Sequence, residues 1–234
     1  MLNLRNHRPA FSLVELLVSI SVLAILGAIA ISTTLSALDS SKATDGVSKL
    51  RSIGTAMNLY AVDNSGYLPG NGSTGPLWEG QQATYDPSRS GRLVRELAPY
   101  LDYPELDTNY LNEDFIPIAY FDAVPESSLG SSRIYIMNEI VTVNDIEYTP
   151  FGISENASED GTAKAGMQLN QAIETFPTAW MMSDVDQQHP ETAGEGWASS
   201  TPSEPIYSDF RNVLFFDGRV EAVSIDDNEF AWID

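Results

Sequence analysis

The chain has 234 residues, 33 Asp and Glu against 12 Lys and Arg, a formal net charge of -21, no cysteine and 43% hydrophobic residues. That length fits one compact domain plus an appendage, and the composition is that of a folded protein. The acidic balance excludes nucleic acid as a partner, since phosphate binding needs a basic face, and the lack of cysteine excludes disulfides and thiolate metal sites.

The charge is unevenly divided. Up to Arg51 there are five basic residues (Arg5, Arg8, Lys42, Lys49, Arg51) and three acidic ones (Glu15, Asp39, Asp45); from Ser52 onward 7 Lys and Arg face 30 Asp and Glu. A strongly anionic body therefore follows a slightly cationic stem. Most of its carboxylates read as a solvated surface, with divalent-cation binding as their second use.

Residues 1–10 hold Arg5 and Arg8 and no acid, and from Phe11 to Leu38 the chain is apolar with Glu15 as its one ionisable side chain. Such a run is long enough for a helix to cross a hydrocarbon layer of about 30 Å, which takes about 20 residues. Three readings compete here: a plain membrane anchor, a secretory signal cut near Ala28-Ile29-Ala30, and a prepilin-type signal. Glu15 argues against the secretory signal, because a carboxylate in an apolar span costs about 2.5–3.5 kcal/mol at a helix centre on insertion scales and so normally has a role. The basic flank predicts a cytoplasmic N terminus and an exported body.

The run from Ala10 to Val18, Ala-Phe-Ser-Leu-Val-Glu-Leu-Leu-Val, resembles the processing and methylation motif of type IV pilins and type II secretion pseudopilins. The resemblance implies cleavage between Ala10 and Phe11 by a prepilin peptidase, N-methylation of Phe11, and Glu15 as the residue that guides assembly. Ala10 stands where the family usually has Gly.

Beyond the membrane segment Val47, Leu50, Ile53, Met57 and Tyr60 recur at three- and four-residue steps, so the helix is expected to continue to the turn formers at Asp63-Asn64-Ser65-Gly66. Residues 68–90 read as loop, 92–103 as a short amphipathic helix ending at Pro104, and 116–121, 133–143 and 178–185 as strands. The segments 152–166 and 187–205 read as polar, flexible loops. Asp217-Gly218 between two apolar runs predicts a hairpin with a type I′ turn. This stretch resembles a C-terminal signature of prepilin-like proteins, a His followed after nine residues by Asp-Gly; Tyr207 occupies the position of that His.

Candidate chemistry is sparse. His7 falls in the leader and His189, in a polar loop, reads as a surface residue. Asp184 and Asp186 put two carboxylates on one side of an extended segment, a donor set that suits Ca²⁺.

The expectation is an α+β pilin-like unit: leader 1–10, a long helix over 11–63 with 11–38 in the membrane, and a head over 64–234 with a short helix and an antiparallel sheet. The resemblance implies a structural filament subunit, more a type II secretion pseudopilin than a motility pilin, and not an enzyme. Its implied partners are prepilin peptidase, other pilin-like subunits, an inner-membrane assembly platform and lipid, with the head periplasmic or extracellular. The alternative is a membrane-anchored extracellular binding module or enzyme that uses a prepilin-type anchor.

Overall fold

A computed structural model describes residues 12–70, 76–103, 107–153 and 164–226, and only the backbone at positions 32, 35 and 36. The leader and Phe11 lie outside the described residues. The chain divides into two units, residues 1–41 and 42–234, and one helix, α1 (Leu13–Asp63), belongs partly to each.

In the first unit, Leu13–Ile31 has a mean hydropathy of 2.5 and none of it is buried. Hydroxyls along this part of the helix bond back to its own backbone. Ser19, Ser21 and Thr34 donate their hydroxyls to the carbonyls four residues earlier, at 2.7–2.8 Å, which leaves the outer surface apolar.

In the second unit α1 buries Gly46, Leu50, Ile53, Gly54, Met57 and Tyr60. The buried stripe is the expected one with a shift at its start, where Gly46 is buried and Val47 only half-buried. Ser65 (φ 57) and Gly66 (φ 86) end the helix, with the Gly66 N–H donating to the Ala61 carbonyl at 2.7 Å, the long-range bond of a Schellman cap.

The head then forms β1 (Gly80–Gln81), β2 (Thr84–Tyr85), α2 (Leu93–Leu97), β3 (Tyr110–Leu111), α3 (Ile118–Ala123), β4 (Tyr135–Met137), β5 (Val141–Val143), β6 (Ile146–Tyr148), α4 (Leu169–Thr175), β7 (Trp180–Asp184), β8 (Phe210–Phe215) and β9 (Val220–Ser224). The main sheet is antiparallel with the order β1-β4-β7-β8-β9, and two-stranded ladders join β2 to β3 and β5 to β6. The architecture is α+β, consistent with a pilin-like fold. Strand alternation gives the sheet two buried faces. Tyr135, Met137, Met182 and Leu214 pack with Leu50, Ile53 and Met57 of α1, whereas Ile136, Trp180, Val213 and Phe215 pack on the opposite side with Trp197. Two helical glycines allow the close fit: a Cβ on Gly54 would sit 3.1 Å from Leu214 Cδ1, and one on Gly46 1.9 Å from Tyr207 Oη.

Four expectations need correction. Residues 116–121 are not a strand: Pro117 is the N-cap of α3, and Asp45 of α1 accepts the Ile118 N–H at 2.7 Å, so a contact from a distant helix decides a segment whose composition favours β structure. Residues 133–143 form two strands, the second paired across Asn144-Asp145, where both φ angles are positive (52 and 63) as a type I′ turn demands. At Asp217-Gly218 only Gly218 has positive φ (86). The pairing Leu214↔Val220 and the Gly218 N–H to Phe215 carbonyl bond make that loop three residues long, the type in which a glycine takes the left-handed position. The segment 187–205 is ordered against the second sheet face, with 3-10 turns at Pro190–Thr192 and Ala198–Ser200.

Candidate functional site

The motif residues sit at the start of α1. The Ser12 N–H donates to Glu15 Oε2 at 2.9 Å, and Ser12 Oγ accepts the Val14 N–H at 3.2 Å. Glu15 makes the return bond of a capping box while Ser12 caps the N–H of the second helical residue, and together they satisfy backbone donors that a helix start leaves unpaired. Glu15 thus already has a backbone partner at the edge of the apolar run. Ser12 is a residue the sequence reading missed, although Ser-x-x-Glu before an apolar stretch is a legible start signal. Ala10 and Phe11 lie outside the described residues.

The two acids expected to hold Ca²⁺ are buried, Asp184 at 2% and Asp186 at 1% exposure. Asp186 meets the guanidinium of Arg211 with both oxygens, Nε at 2.6 Å and a second nitrogen at 2.9 Å, and also accepts the Gln188 N–H. A cation there would have to displace an arginine that is itself 3% exposed. Asp184 Oδ2 accepts the Asn212 N–H at 2.9 Å, while its Oδ1 has no hydrogen bond among the described residues. Burial pushes its carboxyl up to about 7, against the opposing pull of Asn212 and Arg211. Asp184 faces Tyr135 across the β4–β7 pair. Among the described residues no group of three or more His, Asp and Glu is arranged to hold a metal.

His189 is not a surface residue but is 2% exposed, packed edge-on to Trp180 at 5.9 Å, with Nδ1 accepting the Glu191 N–H. Burial lowers its pKa to about 3, with Arg211 adding to the effect, so the ring stays neutral at physiological pH. Nearby acids are shifted the other way. Glu79 is raised to about 8 by burial first and then by Glu139, Glu195 and Glu191, and Glu139 to about 7 by burial and Glu195.

Residues 5–31 match the family model described as the prokaryotic N-terminal methylation motif. Comparison with curated proteins and with solved structures gave no match. The matched residues contain Phe11, Ser12 and Glu15, and they support a type IV pilin-like family and a precursor that is processed by prepilin peptidase and assembles with other pilin-like subunits. The apolar span Leu13–Ile31, which lies within the matched residues, fits a single membrane anchor.

Proposed function

We propose that this chain is a structural subunit of a type II secretion or type IV pilus-like filament, the secretion pseudopilin being the preferred form, with no catalysis of its own. One observation carries the reading: the methylation motif over residues 5–31 takes in the apolar span Leu13–Ile31, whose one ionisable side chain is Glu15. Cleavage before Phe11 creates an amine beside Ser12, within about one helical turn of Glu15. Each charge alone is costly next to lipid, so the two pair, within a subunit or from Phe11 of one subunit to Glu15 of the next. Pairing between subunits sets the axial step at which a newcomer docks on the inner-membrane platform, with the N terminus cytoplasmic and the head periplasmic or extracellular.

The test is Glu15→Leu, scored for membrane retention, leader cleavage and filament formation together. A filament subunit inserts and is cleaved yet fails to assemble, whereas normal filaments from the variant overturn the proposal. Mass spectrometry of the mature chain should find methylated Phe11 first. A chain beginning at Ile31 would instead mark a secretory signal, and one beginning at Met1 a plain anchor.

A further inference from the structure

In a chain with nearly three acids for every base, a buried cation without an acid is unexpected. Among the described residues Lys42, Lys49, Arg89, Lys164, Arg211 and Arg219 each lie within 4.0 Å of a carboxylate. Arg92 and Arg133 do not. Arg92 is 6% exposed and Arg133 half-buried, so neither is a freely solvated surface side chain. Arg51 and Arg95 also lack a carboxylate at that distance, but Arg51 is exposed, and Arg95, half-buried like Arg133, has no buried nitrogen left without a hydrogen bond among the described residues.

Both guanidiniums are gathered on one indole. Arg92 Cζ lies 5.7 Å and Arg133 Cζ 6.0 Å from the ring centroid of Trp78, which is 38% exposed. The surroundings hold these groups in place. The backbone N–H of Trp78 donates to the Gly91 carbonyl at 2.8 Å, and the Arg92 guanidinium donates to the Thr84 carbonyl at 2.8 Å. Two glycines leave the room: a Cβ on Gly91 would lie 2.5 Å from Trp78 Cδ1, and one on Gly80 2.9 Å from Arg133 Cδ. The Nε atoms of Arg92 and Arg133 are both buried and make no hydrogen bond among the described residues. Asp86, the acid that faces Arg92, is engaged by Arg89 at 3.3 Å and by the backbone and hydroxyl of Ser88. Burial and the neighbouring guanidiniums both act against the charge of Arg133.

Burying charge without a partner is unfavourable, and the indole compensates only in part: a cation over an aromatic face contributes about 0.5–2 kcal/mol. We propose that Arg92, Arg133 and Trp78 form a site for a carboxylate-type oxyanion supplied from outside the chain. The guanidiniums provide forked donors for its oxygens, and the indole edge provides a wall. Two sources share this chemistry, an acidic side chain of a second copy of the chain and a free oxyanion. The first rests on the filament reading. It is favoured because contacts between heads this acidic bring carboxylate against carboxylate, and this spot can receive one.

The experiment has two arms. In the first, the full chain in detergent is titrated with inorganic phosphate, and separately with acetate, at constant ionic strength while tryptophan fluorescence is followed. A saturable change is expected in the wild type, weakened about tenfold or more in Arg133→Gln, the scale of one lost charged contact. The melting temperature of the variant checks that the loss is not unfolding. In the second arm Arg133→Glu is scored for leader cleavage and filament yield. Normal cleavage with a filament yield reduced about tenfold or more, partly restored by Arg133→Lys, identifies the neighbouring subunit as the source. Saturable binding with unchanged filaments identifies a free oxyanion. If no oxyanion binds and Arg133→Glu assembles like the wild type, the proposal is overturned and the arginines serve packing alone. If the wild type forms no filament, the filament reading fails and the titration alone decides the site.

Discussion

The span Leu13–Ile31 buries nothing, whereas strands β1, β4, β7 and β8 of the head bury nearly every residue, and the two regions are specified in different ways. In the span, every side chain apart from Glu15 needs only to be apolar or, like Ser19 and Ser21, to bond its hydroxyl to its own helix. In the head, single polar groups are fixed by partners far away in sequence, as Asp186, just past β7, is by Arg211 of β8 and the Ile118 N–H of α3 by Asp45 of α1. A region specified by composition should tolerate exchange among similar residues, whereas one specified by pairing should not.

The largest expected effect breaks a pair. Arg211→Met leaves Asp186 buried without its counter-charge and should destabilise the head by about 3–5 kcal/mol, measured by denaturant unfolding of the full chain in detergent. Adding Asp186→Leu should recover much of that loss; if it recovers none, the ion pair is not what holds β8 against the loop that follows β7. A soluble Ca²⁺ titration of the wild type belongs beside it, and no calcium-dependent shift in melting temperature is expected, because Arg211 already occupies the oxygens of Asp186.

Next comes the fit of α1 on the sheet. Gly46→Ala places a methyl group where the Tyr207 hydroxyl lies, and overpacking of this kind costs about 1–3 kcal/mol. Combining it with Tyr207→Phe removes the clashing oxygen and should return part of the loss. Equal melting temperatures for Gly46→Ala and the wild type would show that the helix can slide off this contact at little cost.

A smaller effect follows pH. The folded-state pKa of Asp184 is raised to about 7, above its unfolded value, so the folded state holds a proton that the unfolded state has already lost. Stability from this group is therefore present at acid pH and falls as pH rises through about 7, by roughly 1 kcal/mol between pH 6 and 8. Glu79 and Glu139, raised to about 8 and about 7, act in the same direction. His189 acts oppositely: its depressed pKa removes stability as pH falls from about 6.5 towards 3. Melting temperature should consequently pass through a maximum on the acid side of neutrality, and Asp184→Asn should flatten its alkaline limb. An unchanged alkaline limb in that variant would assign the loss to other groups.

Gly218→Val probes a turn with no neighbours. Nothing lies within 4 Å of a Cβ there, so the cost is that of a β-branched residue at φ 86, about 1–2 kcal/mol. The smallest effect belongs to the span: Leu23→Ile should leave membrane retention and head melting unchanged. A shift from either would mean that the span is read by specific contacts after all.

Much of this could be read along the chain because the information is local. Residues 10–18 carry the processing motif, the apolar run carries its own length, and the turn formers at 63–66 end α1 within one residue of the expected place. The existence of the final hairpin was equally legible, though its loop length was not, since two- and three-residue loops place the same Gly in the left-handed region. Asn144-Asp145 gave the type I′ signal in plain sight between Val-Thr-Val and Ile-Glu-Tyr, and reading 133–143 as one continuous strand hid it.

What the sequence determined by itself was therefore an apolar helix long enough to span a membrane, the methylation-type motif over residues 5–31, and the α+β character of the head, all of which follow from spacing and polarity within a few residues. Tertiary structure alone decided that 116–121 would start a helix, that His189 would be buried and neutral, and that Asp186 would face an arginine instead of solvent. Each of these depends on a group 25 or more residues away or on a covering segment, and a side chain's electrostatic environment is set by what surrounds it in space.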